Sequence, residues 1–167
     1  MNESPHQYNA NSIDEQTVDR DPLPLFQRWL DEARQAGIQL AEAMTLATAT
    51  PDGRPSARLV LLKQADQHGF VFFTNYNSMK ARELDANPQA ALVFYWPQLE
   101  RQVRVDGKVE RVSAAESDAY FKTRPRDSQI GAGVERGPML YPKRLLFNGE
   151  QPPTFCFGFG KLCLIIE

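Results

Sequence analysis

Thr74, Ser78 and Lys80 place two hydroxyls and an ammonium in one short stretch, TNYNSMK. The apolar run FVFF precedes it and MKAREL, which reads as a short helix, follows. The first turn of a helix leaves its backbone N–H groups without partners, and a serine just ahead of it is a favoured cap. Unpaired N–H groups, hydroxyls and a cation at one helix start are the equipment of a phosphate seat.

The elements that must position this seat are legible around it. Residues 58–80, RLVLLKQADQHGFVFFTNYNSMK, hold two strand-like runs, 58–63 and 70–74, joined by a polar link ending in His68-Gly69. β-Branched and aromatic runs across such a link predict a hairpin. Strict alternation puts Arg58 and Lys63, five positions apart, on opposite faces unless a bulge intervenes. Upstream, Asp21-Pro22 opens a helix whose apolar positions Leu25, Phe26, Trp29, Leu30 and Ala33 recur at helical spacing, and Gly37 ends it. Residues 43–50 (AMTLATAT) form a strand that turns at PDGR to pair with residues 55–63.

Downstream, Asn87-Pro88 stops the short helix, and residues 90–96 (AALVFYW) make a continuous apolar strand expected to be central. Residues 101–112 alternate, and Gly107 predicts a bulge or bend that curls the sheet. Ser113 and Glu116 form a capping box for a helix through Tyr120 and Phe121, ended at Arg124-Pro125, with a second short helix near Asp127. Five or more strands in hairpin order with helices between them give a mostly-β, α+β class: a small antiparallel barrel with flanking helices.

Composition narrows the chemistry. The 167 residues are 42% hydrophobic and 24% charged, enough for one domain with a real core, and residues 1–20 read as a mobile polar arm. A formal net charge of −2 gives no global pull toward nucleic acid or an anionic membrane. Only His6, His68, Cys156 and Cys163 offer soft ligands, so no metal site is expected; the two cysteines read as reduced core residues. Neither GxGxxG nor GxxxxGK[ST] occurs. Without a leader-like or spanning apolar run, the cytoplasm is the expected location.

The segments DPLPLFQRWLDEA, PSARLVLLK, FFTNYNSMKARELDANP, LVFYW, ERQVRVDGKVERVS and YFKTRPRDSQIGA together resemble the pyridoxamine 5′-phosphate oxidase family, across roughly residues 21–132. The resemblance implies an FMN-binding split barrel, an antiparallel split β-barrel with flanking helices, working as a homodimer. Its implied reaction oxidises pyridoxine or pyridoxamine 5′-phosphate to pyridoxal 5′-phosphate while O2 becomes H2O2. Carried onto this chain, it makes Arg58 and Lys80 ligands of the FMN phosphate, supported by Thr74 and Ser78. Residues Leu59, Val60, Leu61, Leu62 and Lys63 line the ring, with Phe73 beside them, and Gln102 bonds the flavin. Lys63, Tyr120, Arg124 and Ser128 would hold the substrate phosphate. No catalytic side chain is implied, because the redox chemistry belongs to the cofactor.

Two departures set further expectations. Met79 stands where the family has an arginine beside its phosphate-binding lysine. Beyond Ala132 the family pattern is lost through residues 133–150 and resumes only in part before Glu167, which predicts a truncated or internally deleted member whose residues 133–167 are an atypical end of the same domain. The alternatives are an FMN oxidase of another small substrate, and a non-catalytic protein that binds FMN or pyridoxal phosphate, or neither.

Overall fold

The computed structural model describes residues 21–75, 77–113, 115, 122–123, 140–146, 154–159 and 162–166, the last two segments and residues 75, 140–142, 144 and 146 by backbone alone. Helix α1 (Pro22–Gln35) starts where the Asp21 carboxylate accepts from the Leu23 N–H at 3.0 Å and Pro22 occupies the first turn. It ends at Gly37, whose φ of 72° lets Ile38 N–H return to the Ala33 carbonyl at 3.1 Å. The five apolar positions named from its spacing are all buried.

The strands are β1 (Ala43–Ala49), β2 (Pro55–Asp66), β3 (Gly69–Asn75), β4 (Gln89–Trp96), β5 (Arg101–Arg111), β6 (Leu140–Leu146), β7 (Thr154–Phe159) and β8 (Leu162–Ile166). Helix α2 (Met79–Ala86) lies between β3 and β4. The sheet order β4-β1-β2-β3-β6-β5, with β4 also paired to β5, closes six strands into an antiparallel barrel, and β7-β8 extend it from β5. Closure removes the free edges that an open six-stranded sheet would carry. Both expected hairpins, β1–β2 and β2–β3, are present, and β4 is internal between β1 and β5.

Inward side chains from β1, β3, β4 and β5 meet α1 at the barrel's core. Phe26 lies 4.8 Å from Phe70, 5.0 Å from Phe94 and 6.4 Å from Trp96, ring centre to ring centre. Buried Trp96 donates its indole N–H to the Ala41 carbonyl at 3.0 Å, so its one polar atom is satisfied. Buried Arg101 sits 4.7 Å over the Trp29 ring and bonds Glu32, pinning α1 to β5.

The irregular strand is not the one expected. Through Gly107 the β4–β5 register runs without a shift, Ala90 facing Gly107 and Gln89 facing Lys108, and buried Val109 keeps the phase of Val103 and Val105. Gly107 instead falls where the other edge of β5 changes partner, from β7 up to Asp106 to β6 from Val109. The register shift lies in β2, between Leu62 and Gln64, so Lys63 is the extra residue against β3. The helices expected from Ser113 and near Asp127 fall outside the described residues, apart from Ser113, Ala115, Lys122 and Thr123. No helix among the described residues is long and apolar enough to cross a membrane.

Candidate functional site

The shift at Lys63 opens the barrel. Strand β2 pairs with β3 only over Leu62 to Asp66, opposite Phe72 to Gly69; β3 pairs with β6 along its whole length on its other edge, and the first half of β2 pairs only with β1. A notch therefore runs between residues 57–61 of β2 and residues 73–75 of β3. Antiparallel ladders alternate bonded and non-bonded pairs. The Leu62 N–H bonds the Glu42 carbonyl at 2.9 Å, so even-numbered β2 residues spend their backbone groups on β1. The N–H and C=O of Leu59 and Leu61 consequently turn into the notch.

At one end of the notch stand Thr74, Ser78 and the start of α2. The Ser78 hydroxyl accepts from the Ala81 N–H at 3.3 Å and lies 3.1 Å from the Thr74 hydroxyl. The N–H groups of Met79 and Lys80 have no acceptor within the helix. Ser78→Ala should lower unfolding stability by about 1 kcal/mol through the lost cap; urea denaturation measures it, and an unchanged midpoint would show that the cap contributes nothing.

Arg58 reaches the same end from the inward face of β2. Its Nη1 donates to Thr48 Oγ1 at 2.5 Å and to the Leu46 carbonyl at 3.4 Å, and its Nη2 donates to Ser56 Oγ at 2.9 Å and Glu83 Oε2 at 3.0 Å. Glu83, buried on α2, also accepts from Thr48 at 2.6 Å and Ser56 at 2.8 Å. These two hydroxyls, then Arg58, hold its carboxyl below the usual range against the opposing effect of burial. Lys80 forms no ion pair with a carboxylate among the described residues. Burial first, and then the positive charge of Arg58, lower its ammonium pKa. An ammonium held beside a second positive charge with no carboxylate of its own is a place that favours an anion.

Strand β6 and α2 are locked together behind this cluster. Buried Lys143 donates to Asp85 at 2.9 Å, and Arg111 bonds the other carboxylate oxygen at 2.8 Å. Burial alone would raise the Asp85 pKa, but the bonds from Lys143 and Arg111 outweigh it and bring it down.

The remaining expected residues scatter. Lys63 is exposed, five residues from Arg58, which is roughly 16 Å along a strand. It lines a cavity of about 290 Å³ between α1 and β2, with Phe26, Leu30, Arg34, Glu42 and Gln64. Val60 and Leu62 point inward to the core, whereas Leu59 is 73% and Leu61 37% exposed. Phe73 is half-buried, unlike core Phe70 and Phe72. Gln102 is exposed on the barrel's outer face beside Tyr95, three strands from β2, so one chain does not bring it to the phosphate end. Tyr120, Arg124 and Ser128 lie outside the described residues, as do the side chains of Cys156 and Cys163. Thr48, Ser56 and Glu83 were missed by the sequence reading. The available signal was phase: Thr48 shares the buried register of Met44 and Leu46, and Ser56 and Arg58 that of Val60 and Leu62.

The family model for pyridoxamine 5′-phosphate oxidase matches residues 30–147. The chain belongs to the pyridoxamine 5′-phosphate oxidase family. The match runs past Ala132 and takes in β6. Pyridoxine/pyridoxamine 5′-phosphate oxidase of Rubrobacter xylanophilus is 58% identical over 130 residues, 78% of this chain and 60% of that protein. Its counterpart in Cupriavidus necator is 58% identical over 152 residues, 90% of this chain and 72% of that protein. Against relatives such as the first, the chain spans about 60% of their length. Among solved structures, PhzG from Burkholderia lata 383, in complex with tetrahydrophenazine-1-carboxylic acid, shares the fold at a TM-score of 0.72 with 24% identity, covering 90% of this chain and 87% of that one. A pyridoxamine 5′-phosphate oxidase-related, FMN-binding protein from Nostoc punctiforme gives 0.65 with 18% identity, covering 84% and 91%. The split barrel expected from the sequence is thus the family's fold, and its enzymes are oxidoreductases.

Proposed function

We propose that this chain binds FMN in the notch between β2 and β3 and oxidises pyridoxine 5′-phosphate or pyridoxamine 5′-phosphate to pyridoxal 5′-phosphate, reducing O2 to H2O2. The observation that carries the reading is the spacing of unlike groups along β2 and the start of α2 beside it. Lys80 and Arg58 stand at one end, the outward backbone edges of Leu59 and Leu61 in the middle, and Lys63 at the far end. A phosphate, a planar hydrogen-bonding ring and a second phosphate need that order of partners.

The residues present fit the cofactor. The Lys80 ammonium and the first N–H groups of α2 bond its phosphate, with the Ser78 and Thr74 hydroxyls alongside, and Arg58 adds charge behind them. The Leu59 and Leu61 backbone groups hold the polar edge of the ring. Bound FMN supplies the redox chemistry, accepting two electrons from the substrate and passing them to O2. The chain's own work is to bind and orient. Lys63 attracts the substrate phosphate to the notch's other end, and Tyr120, Arg124 and Ser128 are assigned to the same phosphate by their motif.

Gln102 reaches a flavin only if a second copy covers the outer face. That face exposes Leu59, Leu61 and Tyr95, an apolar surface suited to a homodimer in which one protomer's Gln102 serves its partner's notch. The decisive experiment is the visible spectrum of the purified chain after FMN addition, followed by peroxide release with pyridoxine 5′-phosphate. A flavin band near one per chain with turnover is expected. A flavin band without turnover would favour the binding protein over the enzyme, and no band would sink the assignment. Lys63→Ala should raise KM by up to about fivefold and leave the flavin bound; loss of flavin instead would move Lys63 to the cofactor.

A further inference from the structure

The notch's cationic end holds an arrangement that phosphate binding does not by itself require. A guanidinium has five N–H donors. In Arg58 both hydrogens of Nη1 and both of Nη2 are already donated within the protein, to Thr48, Leu46, Ser56 and Glu83, which leaves Nε–H alone. A two-pronged grip on a phosphate, the usual advantage of arginine, is therefore spent on the fold. Glu83 organises this. Its Oε1 accepts from Ser56, its Oε2 accepts from Thr48 and Arg58, and the two hydroxyls that donate to it also accept from Arg58. The hydroxyl-bearing residues face each other across β1 and β2, Thr48 opposite Ser56, and Glu83 descends from α2 one turn beyond Lys80.

We infer that Glu83 is a positioning residue for the anion site: it holds Arg58 flat against β1 and β2 as a fixed positive wall, while Lys80 and the start of α2 make the direct bonds to the phosphate. This deepens the FMN reading and rests on it. Positioning and plain charge predict opposite signs. If Glu83 acted only as a negative charge near a phosphate, neutralising it would strengthen FMN binding. If it positions Arg58, glutamine in its place offers one oxygen where two served three donors, turns an N–H toward them, and frees the guanidinium to swing toward Lys80.

The test is titration of flavin fluorescence on the full chain with FMN and with riboflavin, which lacks the phosphate, for the wild type, Glu83→Gln and Ser56→Ala. The expected result is a rise of about tenfold in the FMN dissociation constant for Glu83→Gln and about threefold for Ser56→Ala, with riboflavin unchanged in both. Ser56→Ala removes one half-buried hydroxyl and carries the test should Glu83→Gln not fold. Unchanged or tighter FMN binding in the variants overturns the inference, as does an equal loss of both ligands alongside a lowered melting temperature. A wild type that binds neither ligand overturns the FMN reading and the inference with it, an outcome distinct from a wild type that binds while the variants match it.

Discussion

Lys80→Ala should raise the FMN dissociation constant roughly 30- to 150-fold while riboflavin binding and unfolding stability stay near wild type. A hydrogen bond from an ionised donor to a charged acceptor is worth about 1.5 to 3 kcal/mol, and about 1.4 kcal/mol is a factor of ten in affinity. Lys80 belongs at the top of that range for a reason specific to this fold. Met79 adds no charge beside it, and Arg58 has only Nε–H left to offer, so the ammonium carries most of the direct bonding. The folded chain has little use for it otherwise, since no carboxylate among the described residues pairs with it and Arg58 repels it. Its removal relieves that repulsion, which is why stability is expected to hold or rise slightly. Fluorescence titration and a thermal melt on the same preparation separate the two effects. FMN affinity within threefold of wild type would place the phosphate elsewhere.

How far the sequence reaches depends on how local the cause is. Helix α1 was readable because cap, proline, apolar stripe and terminating glycine all lie within its own residues or within two of its ends. The hairpins β1–β2 and β2–β3 were readable for the same reason, their turns lying between the strands they join. Barrel closure was not, because β6 is LYPKRLL, whose proline and cations do not read as a strand. It becomes one by pairing with the edge of β3 and the last residues of β5, and Pro142 lies outside the short β5 ladder, where its missing N–H costs least. The bulge was placed at Gly107 on residue type, yet Lys63 bears it, because what forces it is the parting of β2 from β3.

The candidate site divides in the same way. Thr74, Ser78 and Lys80 were legible as one helix start, and the structure brings them together with Arg58. Glu83 was not legible: a glutamate in a short helix reads as a solvated charge, and only the packing of α2 against β1 makes it buried. Gln102 was assigned by motif alone, and the fold of one chain sets it three strands from β2, so that assignment depends on a partner protomer.

Arg58→Ala should cost about 3 kcal/mol of unfolding stability at neutral pH and abolish FMN binding at micromolar cofactor. Removing one member of a buried ion pair costs more than the pair contributes, because the other charge stays buried without its counter-ion. Arg58 is one-fifth exposed and Glu83 less than one-tenth, so solvent cannot take over the guanidinium's role. Thr48 and Ser56 still donate to the carboxylate, which keeps the cost from being larger. The pH dependence fixes the cause. The folded pKa of Glu83 lies below its ordinary value of 4.5, so its interactions stabilise the fold above that value, and the stabilisation is lost as pH falls through the folded pKa. In Arg58→Ala the carboxyl is depressed less, so less remains to be lost on acidification. The stability difference between wild type and variant should therefore be greatest near pH 7 and shrink steadily below pH 4.5. Urea denaturation of both proteins at pH 7 and at successively lower pH measures it, and a difference that stays constant into acid would assign the loss to packing of the arginine stem rather than to its charge.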